Sequence, residues 1–171
     1  MTHLKSFLVL FILTVLLFGC SHKEQQSNTE NKQLDFDILA SEKTLPTNFY
    51  EISFKRETTP YFHYLVKKIV NQTNFDEAWN TFGFSGAGSS VDFNDKDVLF
   101  IGVEESGSCP YYIEKVEIST DNKSIIIPLS KTDSPCTDDA TPRTFVIAID
   151  KKLSIENVII QNGTETLIPI E

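Results

Sequence analysis

Between residues 98 and 149 the chain alternates short apolar runs with clusters of turn-forming residues. The runs are Val98-Leu99-Phe100-Ile101, Tyr111-Tyr112-Ile113, Ile125-Ile126-Ile127 and Phe145-Val146-Ile147-Ala148-Ile149. Each is too short for a stable helix and rich in β-branched and aromatic side chains, which predicts strands joined by turns. The run that starts at Val98 has no polar alternation, so its strand is predicted to be buried on both faces, central in its sheet, under a helix or a second sheet. Residues 143–150 alternate, with Phe145, Ile147 and Ile149 on one side. Asp121-Asn122-Lys123 predicts a tight turn into a hairpin partner over residues 124–129. Asn162-Gly163, flanked by Val158-Ile159-Ile160 and Leu167-Ile168, is a two-residue hairpin turn. Residues 111–120 read as a strand of uncertain face.

Upstream the periodicity is mixed. Residues 34–39 alternate imperfectly, as a first strand or extended arm. Tyr50, Ile52 and Phe54 share a face in a predicted half-buried strand over 49–56. Thr59-Pro60 then reads as a helix start, and Phe62, Leu65, Val66 and Ile69 fall at helical spacing behind it. A second helix is predicted with Asn74 as its cap and Glu77 reaching back. Phe75, Ala78, Trp79 and Phe82 form its apolar stripe, with Trp79 as a core anchor, and Gly83 ends it. The Gly-rich residues 85–90 follow a helix and lack a terminal Lys-Ser or Lys-Thr, so they do not fit a phosphate loop. They read as a flexible connection.

The N-terminus has a different character. Lys5 precedes an apolar run from Phe7 to Phe18, too short to span a bilayer as a helix and suited to a signal peptide. It ends Leu17-Phe18-Gly19-Cys20, which resembles the bacterial lipobox, with Phe18 bulkier than is usual there. Residues 21–33 then contain no apolar side chain. The reading is a lipoprotein signal peptide over 1–19, a lipidated Cys20 opening a polar tether over 20–33, and one β-rich domain over 34–171. Two or three acyl chains give stable anchoring at roughly 0.8 kcal/mol per buried methylene. A flexible tether of this length spans on the order of 20 Å. The expected location is the extracytoplasmic face of a cell membrane.

Charge and chemistry-bearing residues narrow the function. A net charge of −9 works against nucleic acid or an anionic surface as a partner for a basic patch. With Cys20 assigned to lipid, Cys109 and Cys136 remain as a pair in a compartment that permits disulfides, and a bridge is expected. Zinc needs three or four ligands, and His63 is the only histidine in the domain. No metal or cofactor is expected. A Cys–His nucleophile conflicts with the bridge, and a Ser–His–Asp arrangement would have to use His63 without a Gly-x-Ser-x-Gly elbow. Asp133, Asp138 and Asp139 share one loop in a spacing that matches no EF-hand.

The helix bearing Trp79, the Val91-Asp92-Phe93 segment, the strand over 98–103 with Gly102, Tyr112-Ile113 and the stretch Pro142-Arg-Thr-Phe-Val-Ile-Ala-Ile149 together resemble the C-terminal domain of the PrcB-like family. That family is named for a lipoprotein subunit of a bacterial surface protease complex. The resemblance covers rather more than half of the chain. Where that family tends to have glycine before the tyrosine, this chain has Ser108-Cys109-Pro110, and residues 34–71 have no obvious counterpart. The resemblance implies a β-rich domain without catalytic residues that supports or binds a partner protein, and it brings no active site with it.

The expectation is therefore an α+β fold: a mainly antiparallel β domain, a sandwich or partly open barrel, preceded by two short helices and carrying one disulfide. Its expected function is a non-enzymatic protein-binding or accessory module. The alternatives are a small-molecule or divalent-ion-binding surface lipoprotein, and an enzyme of unreadable class. Loops 105–110 and 131–141 are the candidate contact surface, with Tyr111, Asp138 and Asp139 as candidate binding residues, since loops on a rigid scaffold commonly carry recognition.

Overall fold

A computed structural model describes residues 31–170 of the chain. The expected signal peptide, Cys20 and most of the expected tether lie outside the described residues. Ten strands form two five-stranded sheets. An outer sheet has the order β1-β6-β7-β9-β10, and a central sheet the order β2-β8-β5-β4-β3. In chain order they are β1 (Lys32–Leu34), β2 (Phe36–Glu42), β3 (Phe54–Lys55), β4 (His63–Ile69), β5 (Lys96–Glu105), β6 (Val116–Ile118), β7 (Ser124–Pro128), β8 (Thr141–Asp150), β9 (Asn157–Gln161) and β10 (Glu165–Pro169). Two helices, α1 (Phe49–Ile52) and α2 (Gln72–Thr81), precede β5. Pairing is antiparallel throughout, except that β7 and β9 run parallel. The domain is an antiparallel-rich sandwich with its one disulfide between Cys109 and Cys136.

The unalternated run in β5 sorts onto two cores. Leu99, Ile101 and Val103 face the outer sheet, with Phe145, Ile147 and Ile149 of β8 beside them and Ile125, Ile127, Val158 and Ile160 opposite. Val98 and Phe100 face the other way, with Val146 and Ala148, into a second core closed by Phe75, Ala78, Trp79 and Phe82. Both expected covers are thus present at once, a second sheet below and a helix above. Phe100 is fully buried, 5.0 Å from the Phe82 ring centre and 5.6 Å from that of Phe75. Such aromatic pairs contribute about 0.5–1.5 kcal/mol each beyond area burial.

Four local expectations are corrected. Residues 63–69 form β4, not a helix. Tyr64 and Val66 turn into the inter-sheet core, while Leu65 and Ile69 turn toward the α2 side, and six of the strand's residues pair with β5 in register from Tyr64↔Val103 to Ile69↔Val98. A short strand buried on both faces imitates helical spacing, and the aromatic and β-branched content of this stretch favours the sheet. Residues 49–52 form one helical turn rather than the start of a strand, and only Phe54 and Lys55 stay extended. The N-cap of α2 is Asn71, whose side chain accepts from the Asn74 N–H at 2.9 Å, so Asn74 is the donor and not the cap. The strand expected over 111–120 shrinks to Val116–Ile118, with an isolated bridge pairing Tyr112 and Ser130.

Other signals hold. Gly83 ends α2 at φ +79°, where a Cβ would also strike the Thr44 hydroxyl, and that hydroxyl donates to the Phe82 carbonyl at 2.7 Å. Gly163 takes φ +69° at the β9–β10 turn, although the register Gln161↔Glu165 makes that turn three residues long, Asn162 to Thr164, and not the two expected. Trp79 is buried, stacks on Phe84 at 4.4 Å and donates its indole N–H to the Gly86 carbonyl at 3.1 Å. That bond pins the Gly-rich segment against α2.

Candidate functional site

The two candidate loops meet at the end of the sandwich where β5 finishes and β8 begins. Their base is the pair Glu105↔Thr141, last in the β5–β8 register. Above it the polar residues of both loops are tied at three places.

The first tie is the Glu105 carboxylate, whose side chain has no exposed surface. The Arg143 Nε–H donates to its Oε1 at 2.9 Å, and Nη2 stands 2.7 Å from the same oxygen. Its Oε2 accepts the Tyr111 backbone N–H at 2.7 Å. A buried carboxylate survives only with its lone pairs met by charge-assisted donors. Here those donors come from β8 and from the far end of the loop that Glu105 itself begins. The loop is held closed at its neck.

The second tie is the disulfide. The Cα atoms of Cys109 and Cys136 are 5.5 Å apart across 27 positions of sequence. Cys109 is buried, and its N–H donates to the Ser106 carbonyl at 3.2 Å. Closing a loop of this size stabilises by about 3–4 kcal/mol on the chain-entropy account.

The third tie is Asp139. Its Oδ1 accepts from the Gly107 N–H at 3.0 Å and from the Thr137 hydroxyl at 2.5 Å, with the Ser106 hydroxyl at 3.4 Å. Thr137 in turn donates its N–H to the Ser108 hydroxyl at 2.8 Å. The Thr137 hydroxyl and the Gly107 N–H both stabilise the ionised form, so the Asp139 carboxyl is held below its ordinary value.

These ties place the sequence-derived candidates. Asp139 is exposed, but its inner oxygen serves the loop itself. Asp138 is exposed, with no side-chain bond to a neighbour among the described residues. Tyr111 is half-buried. Its hydroxyl accepts from the Asn162 side chain at 2.8 Å, and burial raises its pKa, partly offset by that bond. The aromatic ring that the site offers to solvent is Tyr112, which is 42% exposed. Glu105 and Arg143 were not legible as site residues, because a charged residue at a strand end ordinarily reads as solvated. Asp133, Asp138 and Asp139 do not converge. Among the described residues no group of three or more His, Cys, Asp or Glu side chains is arranged to hold a metal ion.

One nucleophile–base contact is present elsewhere. Ser53 Oγ lies 2.9 Å from His63 Nδ1, where β3 leaves α1. No carboxylate orients the ring's other nitrogen among the described residues, and Tyr50 packs edge-on against the imidazole at 5.2 Å. Ser53 is the C-cap of α1, beside carbonyl ends whose partial negative charge opposes an alkoxide. The bond ties α1 to β4.

The fold and these ties define the class as an open β-sandwich presenting a cross-linked pair of loops at one end. No protein-family model, curated protein or solved structure matches the chain. No helix among the described residues is long and apolar enough to cross a membrane.

Proposed function

We propose that the chain is a lipoprotein anchored through an acylated Cys20 on the extracytoplasmic face of a membrane, where its domain acts as a non-enzymatic protein-binding or accessory module. The observation that carries this reading is the joint immobilisation of loops 105–110 and 131–141. A buried Glu105–Arg143 pair, the disulfide and the Asp139 cluster order a surface that a solvated connection would leave loose. Ordering of this kind removes entropy that a binding event would otherwise cost. The surface so fixed is polar and exposed, with Tyr112 and Asp138 at its rim, and polar loops of this kind suit recognition of a folded partner. The resemblance to the PrcB-like family agrees with an accessory role. The leader ending in Leu17-Phe18-Gly19-Cys20 supports the anchor.

A photo-crosslinker placed at position 138 in intact membranes tests the partner. One discrete product is expected from position 138 and none from position 76 on the exposed side of α2. Identical products from both positions would count against a loop-borne interface. The anchor has its own test, since a Cys20→Ala chain should leave the membrane fraction while the lipid-modified chain stays in it.

A further inference from the structure

The two long sides of the sandwich differ. On one side the chain passes from β1 at the rim of the outer sheet to β2 at the rim of the central sheet through Asp35 alone. The backbone itself bridges that side. On the other side β10 ends the outer sheet and β3 ends the central one, and among the described residues no backbone segment joins them, while the Arg56 guanidinium donates across the gap to the Thr164 hydroxyl.

β3 is only two residues long. It pairs with Tyr64 and His63 and leaves the rest of β4 unaccompanied. The Arg56 N–H donates to the Phe62 carbonyl at 2.9 Å, so the even-numbered residues of β4 turn their backbone groups toward the β3 side, as antiparallel alternation requires. Val66 and Lys68 therefore present backbone donors and acceptors outward, where no strand stands among the described residues. Beside them is a cavity of about 300 Å³, lined by Ile52 and Phe54, by Leu65 and Val66, and by Ile168 and Pro169 of β10. It occupies the space into which β3 would continue had the chain not turned away into α1. Ile52 and Phe54 in its lining are 47% and 37% exposed.

Charge narrows what fits. In a chain of net charge −9, this edge carries Lys55, Arg56, Lys67 and Lys68. Lys68 is neutralised by Asp97 at 3.2 Å. Among the described residues no carboxylate stands within 4 Å of the Lys55, Arg56 or Lys67 cationic groups. Glu51 lies within α1 and Glu57 two residues beyond β3. A second copy paired antiparallel by the same edge, with Val66 opposite Lys68, would set Lys67 against its own counterpart, and like charges directly opposite are destabilising.

We propose that the free edge of β4 at Val66 and Lys68 is a strand-addition site for an extended segment of a partner protein that alternates apolar and acidic residues. Cross-strand neighbours share a face. A partner residue opposite Val66 enters the cavity against Ile168 and Pro169 and must be apolar, and the residue opposite Lys67 faces an uncommitted ammonium and must be acidic. Backbone pairing supplies affinity and the alternation supplies register. The site is distinct from the loop face, and the two fail separately.

The test titrates the full chain, in mild detergent, with a labelled peptide of alternating glutamate and valine. Saturable binding is expected, with slowed hydrogen exchange at the Val66 and Lys68 amides and no change at the Gly107 amide. A lysine–valine peptide and a glutamate–valine peptide N-methylated at alternate amides should both fail to bind. Lys67→Glu, an exposed change, should weaken binding about fivefold. Equal binding of the lysine or N-methylated peptide, undiminished binding by the Lys67→Glu chain, or protection at Gly107 instead of Val66 would overturn the proposal. So would binding of anionic phospholipid vesicles with none of the peptide.

Discussion

At the residue scale the decisive group is Glu105, a carboxylate that the sequence presents as an unremarkable strand terminus. Its burial follows from β5 running on past the apolar core, so that its last side chain meets Arg143 from β8 inside the loop neck. The pair is asymmetric. Arg143 keeps 12% of its side chain exposed and has the Ser41 hydroxyl at 3.3 Å, whereas Glu105 has no exposed side-chain surface. Arg143→Ala strands a buried charge and should cost about 3–5 kcal/mol by urea denaturation. Glu105→Ala leaves an arginine that can reach water and should cost less, about 2 kcal/mol. Equal costs would mean that the neck is more open than its geometry indicates. Asp139 makes a prediction with pH. Its pKa is depressed by the Thr137 hydroxyl first and the Gly107 N–H second, so its contribution is present above the ordinary aspartate value of 3.8 and is lost as pH falls through the lower folded value. The protection factor of the Gly107 amide, corrected for the intrinsic exchange rate at each pH, should fall as pH drops below about 4 while the β5 amides stay protected. The cysteine pair was legible because only Cys109 and Cys136 remain once Cys20 is set aside as the expected lipid site, and the expected compartment permits a bridge. The exchange of roles between Tyr111 and Tyr112 was not, since neither lies in a regular strand whose alternation would say which one turns inward.

Among the elements, legibility tracked the number of faces each one buries. β8 alternates less strictly than an edge strand, yet its odd and even apolar sets could be separated because both are long. The Phe145, Ile147 and Ile149 face lies in the inter-sheet core as the spacing predicts. β4 defeated the same procedure because it is short, two-faced and preceded by Thr59-Pro60, a combination that also opens helices. Nothing local distinguishes the two readings. The deciding term is the demand of β5 for a partner on its free side, a contact 29 to 39 positions away in sequence. Deriving α2 from its stripe succeeded, but the cap fell three residues late, since Asn71 and Asn74 are equally good capping residues and only backbone geometry separates them. Asn71→Ala should therefore destabilise by about 1 kcal/mol. Asn74→Ala should have a much smaller effect, because its backbone N–H is what the cap uses and alanine retains it. Thermal melts of the two variants check this, and a reversed order would restore Asn74 as the cap.

For the molecule as a whole, the arrangement separates what holds the fold from what holds the loop face. One core joins the two sheets and a second packs α2 on the central sheet, and neither contains Cys136 or any residue of loop 131–140, all of which are exposed. The disulfide closes a 27-position segment that also spans β6 and β7, so cutting it frees chain entropy in the unfolded state without removing a strand from either sheet. Replacing Cys136 by Ser and Cys109 by Ala should lower stability by about 3–4 kcal/mol with the far-ultraviolet circular dichroism of the folded chain unchanged. Glu105, Arg143 and Asp139 would remain to order the neck, so the crosslink expected from position 138 should weaken rather than vanish. Combining the cysteine changes with Arg143→Ala removes two of the three ties and should abolish it, provided the doubly weakened chain is still folded at the temperature used. Denaturant midpoint, circular dichroism and crosslink yield measured on the same three chains separate the two roles. If the crosslink falls only when the circular dichroism falls, the loops owe their order to the sandwich alone and the disulfide has no part in the binding surface.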